Sequence, residues 1–287
     1  MSGSTGSSGL LERKVAVVTG GASGIGEGIV RRVLAEGGRC VIADLQVDRA
    51  RLLAAELGEC ALAAHVDVTD EASIVALVRR TVEQWGRLDC MFNNAGMLGA
   101  VGSLLDHSLE QWNRTMSVLL TSVFLGTREA GKVMVAQGSG AIVNTASTAG
   151  VRGGLGPHAY TAAKHAVVGL TTSSAVEFAR HNVRVNCVAP GRTVSALTAQ
   201  LIAGDAADVA TTASHMAAKS LNGRAAYPAD IAAAAVFLAS DQAWYVNGTC
   251  LVVDGAGEVP GEKASRYFTR DAELVGPAHS APDGSVR

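Results

Sequence analysis

Seven short apolar runs alternate with helix-like segments along most of the chain. This alternation predicts repeated strand–helix–strand units, whose right-handed crossovers build a parallel sheet with helices on both faces. The predicted strands cover residues 14–19, 39–44, 60–68, 88–92, 140–146, 183–188 and 248–254. The sequence therefore predicts an α/β protein with a doubly wound, seven-stranded parallel sheet, the Rossmann fold.

The middle of the chain contains no internal repeat and no proline- or serine-rich linker, so residues 11–257 are expected to form a single domain. For residues 1–10 and 258–287, which are rich in small and polar residues, we expect a flexible leader and a tail. Segment 192–222 lacks clear periodicity and follows the sixth strand, on the edge where open α/β sheets bind ligands. We interpret it as a substrate-binding lid, an ordinary helical connection being the alternative.

The charge balance and the apolar pattern exclude several kinds of partner. The 24 basic and 26 acidic residues leave no positive surplus to bind nucleic acid. No apolar run is long enough to cross a membrane, and the first residues do not resemble a signal peptide. The five cysteines lack paired metal-ligand spacing, so we expect buried, reduced thiols, no metal site and a cytoplasmic protein.

A glycine-rich turn, Thr19-Gly-Gly-Ala-Ser-Gly-Ile-Gly26, follows the first predicted strand and opens a helix. Glycines let the backbone approach a pyrophosphate closely, while the helix N-terminus supplies free N–H groups and a positive dipole. This context predicts a dinucleotide cradle. The residues expected to bind the cofactor there are Gly20, Ser23, Gly24, Ile25 and Gly26.

Asp44 ends the second predicted strand, twenty residues beyond Gly24. A carboxylate at this place binds the hydroxyls of the adenosine ribose and repels a 2′-phosphate. Since no Arg or Lys lies in the glycine turn or directly after Asp44, we expect NAD rather than NADP. Asp67 and Val68 lie at the end of the third predicted strand and are candidates for contact with adenine; for Asp67, a turn or helix-capping role is the alternative.

Tyr160 and Lys164 are four residues apart in a helix predicted over 160–180, so they share one face. A cation there is expected to lower the pKa of the phenol, which can then take the proton of a hydroxyl while hydride leaves the carbon. Ser147, at the end of the fifth predicted strand, adds a hydroxyl that can hold the substrate oxygen. The alternative for the Tyr/Lys pair alone is a solvated helix face.

Five motifs follow one another in the order of the short-chain dehydrogenases/reductases, and the chain resembles that family over residues 11–257. They are the glycine turn, Asn93-Asn94-Ala95-Gly96, Ser147, Tyr160-x-x-x-Lys164 and Pro190-Gly191. The resemblance implies that Tyr160 is the acid/base and that Ser147 orients the substrate oxygen. It implies that Lys164 tunes Tyr160 and holds the nicotinamide ribose.

The resemblance implies further cofactor contacts and an assembly. Asn93, Asn94, Ala95 and Gly96 would line the cofactor cleft, while Val188, Pro190 and Gly191 would bracket the nicotinamide. Ser195 stands where the family usually has a Thr that binds the carboxamide, and its hydroxyl keeps that role available. The family's usual homotetramer is expected here as well.

One position departs from the family pattern. The long helix predicted over 108–137 carries Leu119 where the family commonly has an Asn that helps to keep the helix locally bent. Leucine cannot make the side-chain hydrogen bonds of that Asn and is a strong helix former. The proton relay is therefore in doubt, with a straightened helix and a bend held by another group as the two alternatives.

We therefore expect an NAD-dependent enzyme that transfers a hydride between nicotinamide and a small-molecule secondary alcohol or ketone. Because the lid supplies Leu197, Leu201, Ile202 and Met216 but few charges, an apolar or cyclic substrate is favoured. The length and the absence of a separate substrate domain argue against an epimerase or dehydratase. The substitution by Leu119 keeps a catalytically silent NAD-binding sensor as the alternative.

Overall fold

A computed structural model of the chain describes residues 9–258. Its seven strands form one parallel sheet in the order β3-β2-β1-β4-β5-β6-β7, which confirms the doubly wound Rossmann fold. The strands are β1 (Val15–Thr19), β2 (Arg39–Asp44), β3 (Ala61–His65), β4 (Cys90–Asn93), β5 (Gly140–Thr145), β6 (Val183–Pro190) and β7 (Cys250–Val253).

Helices cover both faces of the sheet. They are α1 (Gly24–Ala35), α2 (Val47–Leu57), α3 (Glu71–Trp85), α4 (Leu109–Met116), α5 (Ser122–Gln137), α6 (His158–Phe178), α7 (Ala196–Ile202), α8 (Val209–Lys219) and α9 (Pro228–Ala239). Neighbouring residues such as Val17 and Val18 point to opposite faces of β1, and both are fully buried in separate cores. This double burial explains the continuous apolar runs of the strands.

Several predicted boundaries differ from the structure. β3 ends at His65 rather than at 68, because the chain turns at Asp67, whose side chain accepts the amide of Thr69 at 2.9 Å. Leu10 belongs to the domain rather than to a leader, since its amide donates to Glu36 at 2.8 Å. The predicted leader and tail otherwise lie in 1–8 and 259–287, outside the described residues.

The predicted lid contains the two short helices α7 and α8, which lie between β6 and α9. Thr193 and Ala226 form a parallel bridge that ties the two ends of this segment together. A small apolar cluster around Val194 and Met216 packs inside it. Across residues 9–258, no helix combines the length and the apolar character needed to cross a membrane.

Candidate active site

A cleft opens at the carboxyl ends of the strands. It lies where the strand order reverses between β1 and β4, which is where ligands bind in this fold. Most of the site residues predicted from the sequence line it: Gly20, Ser23, Gly24, Ile25, Asp44, Asp67, Val68, Asn94, Ala95, Gly96, Ser147, Tyr160, Lys164, Pro190, Gly191 and Ser195. Gly26 does not line the cleft and packs within the glycine turn, against the carbonyl of Gly20. Asn93 and Val188 are buried and also lie outside the lining.

The glycine turn needs its glycines for two separate reasons. Gly20 and Gly24 have φ of 64° and 55°, in the left-handed region that glycine adopts without strain. A Cβ on Gly26 would lie 1.9 Å from the carbonyl oxygen of Gly20, so no side chain fits there. α1 begins at Gly24, and the side chain of Ser23 does not cap it. Its first N–H groups are therefore available to a pyrophosphate, as the cradle requires.

Asp44 joins the two turns at the end of the cleft where the sequence predicts the adenosine ribose. Its Oδ2 accepts the amide of Ala22 at 3.0 Å and its Oδ1 accepts the amide of Gln46 at 2.9 Å. Each carboxylate oxygen can accept a further hydrogen bond, so the group fits a ribose diol. The side chain directly after it is Leu45, which also lines the cleft and carries no positive charge.

Asp67 has the turn role that the sequence left open, and it lines the cleft as well. Its Oδ1 accepts both the hydroxyl of Thr69, at 2.7 Å, and the amide of Thr69. These hydrogen bonds hold the pKa of Asp67 below its usual value. The cap of α3 is Asp70 instead, which accepts the amide of Ala72 at 3.0 Å.

α6 carries Tyr160 and Lys164 to the floor of the cleft, facing Ser147 from the end of β5. The ammonium of Lys164 lies 5.7 Å from the centre of the Tyr160 ring and donates to the carbonyl of Thr145 at 2.6 Å. Burial lowers the pKa of Lys164 to about 8. Ser147 Oγ accepts the amide of Ala149 at 3.2 Å, which fixes the start of the turn after β5.

The expected lowering of the Tyr160 pKa is wrong for the chain without its cofactor. Burial raises the pKa of Tyr160 because it disfavours the phenolate. A hydrogen bond with Ser147 opposes this rise, and the nearby charge of Glu258 adds to it. Lys164 does not reverse the balance, since its ammonium is directed to Thr145.

A chain of buried amides and hydroxyls lies beneath these residues and was not predicted. Asn93 donates to Asn144 Oδ1 at 2.8 Å and to Thr127 at 3.2 Å, and Asn144 donates to Thr171 at 2.9 Å. Thr171 in turn donates to the carbonyl of Val167. The network connects β4 and β5 to α6, the helix that carries Tyr160. The signal that could have revealed it is Asn144, an amide inside an apolar run.

The structure keeps a local bend at Leu119. Residues 117–121 form one π-helical turn between α4 and α5, in which the amide of Ser122 donates to Ser117 five residues back. The hydroxyl of Ser122 donates to the carbonyl of Val118 at 2.6 Å, the acceptor that its amide would use in an α-helix. Leu119 is fully buried beside Gly96. Another side chain, Ser122, thus supports the bend.

Apolar side chains form the substrate end of the cleft, opposite the glycine turn. They include the four lid residues named from the sequence, together with Met97, Leu98, Leu155 and Pro157. Ser195 caps α7, where its hydroxyl accepts the amide of Thr198 at 3.3 Å. Two charged residues, Arg192 and Glu258, also line this end. Glu258, which the sequence assigned to the tail, thus lies in the wall of the cleft.

The chemistry of the described residues does not include a metal centre. No group of three or more His, Cys, Asp or Glu side chains in residues 9–258 is arranged to hold a metal ion. Four of the five cysteines are buried or half-buried free thiols, whereas Cys60 is exposed, contrary to expectation.

Comparisons with known proteins agree with this geometry. Residues 20–256 match the family profile described as enoyl-(acyl carrier protein) reductase. Momilactone A synthase of Oryza sativa subsp. japonica is 44% identical, over 91% of this chain and 95% of its own length. A 3-alpha-(or 20-beta)-hydroxysteroid dehydrogenase of Mycobacterium tuberculosis is 40% identical, over 88% of this chain and 92% of its own. The crystal structure of levodione reductase superposes with a TM-score of 0.79 at 35% identity, covering 86% of this chain and 98% of that one.

Proposed function

Because the chain belongs to the short-chain dehydrogenase/reductase family, whose members are oxidoreductases that bind a nicotinamide cofactor, we propose that it transfers a hydride between NAD(H) and a secondary alcohol or ketone. The observation that carries this proposal is the convergence of Ser147, Tyr160 and Lys164 on the floor of a cleft whose other end is the glycine turn.

When bound, a nicotinamide would supply or accept the hydride, and the side chains would transfer the proton. Ser147 holds the oxygen of the substrate by a hydrogen bond. The Tyr160 hydroxyl gives its proton to the carbonyl oxygen during reduction and takes it from the alcohol during oxidation. Lys164 would hold the ribose hydroxyls of the cofactor, and its positive charge would offset part of the rise in the pKa of Tyr160.

NAD rather than NADP is supported by the corner of the cleft around Asp44. A 2′-phosphate would meet the carboxylate of Asp44 at close range, and that repulsion disfavours NADP. Ser23 and Leu45, which line this corner, supply no positive charge to offset the repulsion.

An apolar or cyclic substrate is supported by the leucine-rich segment between β6 and α9. Several relatives carry names of enzymes with terpenoid, tropane or steroid substrates, including borneol dehydrogenase and tropinone reductase-like proteins. Because these names refer to chemically different compounds, they indicate a class of substrate rather than one compound.

The second candidate is a silent NAD-binding sensor, favoured by the replacement of the family's usual Asn with Leu119. A panel of secondary alcohols and ketones, followed by the absorbance of NADH, separates the two. Turnover that Tyr160→Phe abolishes supports the enzyme. Cofactor binding without turnover of any compound supports the sensor.

We further propose a homotetramer, because large apolar side chains on α6 and after α9 are exposed. Val176, Trp244 and Tyr245 are 81%, 72% and 86% exposed. Exposed apolar surface of this kind marks contact sites between proteins.

A further inference from the structure

Glu258 lies in the wall of the substrate cleft, although it follows the last strand by five residues. Its Oε2 accepts the hydroxyl of Thr148 at 2.5 Å, and its Oε1 lies 3.2 Å from Nε of Arg192. The side chain is only 12% exposed. The carboxylate is thus inserted between two segments of the chain.

These two segments face the reaction centre from opposite sides. Thr148 directly follows Ser147, and Arg192 directly follows Gly191 at the nicotinamide end of β6. A Cβ on Gly191 would lie 3.3 Å from Oε2 of Glu258, so the carboxylate rests against that glycine. Glu258 therefore connects the turn that holds the substrate oxygen to the turn beside the nicotinamide.

Main-chain contacts fix Glu258 itself. Its amide donates to Asp254 Oδ2 at 3.1 Å, and its carbonyl accepts Nη1 of Arg152 at 2.6 Å. The charged and titratable groups around the carboxylate are Arg192 after β6, Arg152 after β5, Asp254 after β7 and Tyr160 on α6. The main chain of Glu258 is thus fixed by Asp254 and Arg152, and its carboxylate by Thr148 and Arg192.

We propose that Glu258 is a positioning and specificity-determining residue. Its carboxylate holds the Ser147–Thr148 turn against the Gly191–Arg192 turn, and its charge disfavours substrates that carry a carboxylate near the reacting carbon. The proposal rests on the proposed hydride transfer and deepens it: the substrate class becomes uncharged alcohols and ketones.

The physical basis is the low polarity of the surrounding wall. Two negative charges within one apolar cleft repel each other more strongly than they do in water. Arg192 offsets part of the charge of Glu258 but does not remove it, and Tyr160 responds to that charge through a raised pKa.

The test compares wild type with Glu258→Gln, which keeps the shape and removes the charge, and with Thr148→Val, which keeps the charge and removes the hydroxyl. The substrates are a cyclic ketone that bears a carboxylate and its carboxamide analogue. We expect the acid-to-amide ratio of kcat/KM to rise at least tenfold in Glu258→Gln and to stay within threefold of wild type in Thr148→Val. An unchanged ratio in Glu258→Gln overturns the proposal.

A second measurement does not depend on turnover. The ionisation of Tyr160 is followed by tyrosinate absorbance, as the difference between each protein and the same protein carrying Tyr160→Phe. We expect Tyr160 to ionise at lower pH in Glu258→Gln than in wild type and Thr148→Val; equal titrations overturn the proposal. If no ketone is turned over, the proposed reaction fails, while this titration still decides the role of Glu258.

Discussion

The ammonium of Lys164 donates a 2.6 Å hydrogen bond to the main-chain carbonyl of Thr145, two residues before Ser147. Lys164 is 4% exposed, and a neutral carbonyl compensates a buried cation less well than a carboxylate does. Burial accordingly lowers the pKa of Lys164 to about 8. The lysine is therefore placed for function at a cost in stability.

Lys164→Met is expected to stabilise the fold and to abolish most turnover. Lowering the pKa of Lys164 from 10.5 to about 8 corresponds to a destabilisation of the folded state by about 3 kcal/mol. Lys164→Met recovers only part of this free energy, because the carbonyl of Thr145 loses its hydrogen-bond donor. The unfolded chain binds the proton more tightly, so the penalty applies in full below about pH 8 and disappears towards pH 10.5. Calorimetry should show a higher Tm than wild type at pH 7 and a smaller difference at high pH. A lower Tm at both pH values contradicts this account.

The two directions of the reaction should depend on pH in opposite ways. Because burial raises the pKa of Tyr160, the neutral phenol predominates through neutral pH. Ketone reduction, which needs the phenol, should be flat there and fall in alkali, whereas alcohol oxidation should keep rising with pH through the alkaline range. Initial rates in both directions measure this, and oxidation that levels off below about pH 8 argues against the raised pKa of Tyr160.

Tyr160→Phe should lose most turnover with cofactor binding nearly unchanged.

Cofactor preference should depend on the corner around Asp44. We expect wild type to favour NAD in kcat/KM, and Asp44→Ala combined with Leu45→Arg to move the preference at least tenfold towards NADP. Leu45→Arg alone is the control that adds charge without removing the carboxylate. Because Asp44 also holds the amides of Ala22 and Gln46, the double variant should bind both cofactors somewhat less tightly. A wild type that prefers NADP refutes the assignment.

Leu119→Asn should change kcat by less than tenfold. The π-helical turn is already present, and the hydroxyl of Ser122 holds the carbonyl of Val118. Ser122→Ala is the matched variant, and it should lower kcat more than Leu119→Asn raises it. Steady-state rates on one working substrate decide the point. A tenfold or larger gain from Leu119→Asn, about 1.4 kcal/mol off the barrier, would show that the native relay is impaired.

The proposed tetramer can be weakened at its exposed aromatic pair. Trp244 and Tyr245 lie 5.1 Å apart between ring centres on the surface after α9. Replacing Tyr245 with Glu places a charge where apolar contact is proposed, and we expect light scattering to report a smaller particle than for wild type. Exposed Leu52→Glu, on α2, is the control and should leave the mass unchanged. A monomeric wild type at micromolar concentration refutes the proposal.

The sequence predicted best what depends on local pattern. The sheet could be predicted from the apolar runs. The prediction of a cofactor-binding end rests on the glycines and on Asp44, whose roles depend on their positions along the chain. The roles of individual site residues remain predictions. The sequence could not place contacts between distant segments: Glu258 was assigned to a tail because nothing local connects it to Thr148, which is 110 residues away.

The direction of the Tyr160 pKa shift could not be predicted from the sequence for a related reason. The four-residue spacing to Lys164 indicates a shared helix face, yet it does not reveal how deeply the phenol is buried or where the ammonium points. The bend at Leu119 likewise depends on Ser122, a serine whose hydroxyl bonds back into the helix.

Substitutions at Gly126 and Asn93 constrain each other. A Cβ there would lie 1.9 Å from Oδ1 of Asn93, the amide that holds Asn144 and, through it, Thr171 on the Tyr160 helix. A substitution at Gly126 is thus acceptable only after Asn93 has changed, and a change of Asn93 removes its 2.8 Å hydrogen bond to Asn144. Such epistasis constrains the layer under the catalytic residues. We expect new substrate preferences to arise more easily at Leu197 and Leu201, which line the cleft and are about half exposed.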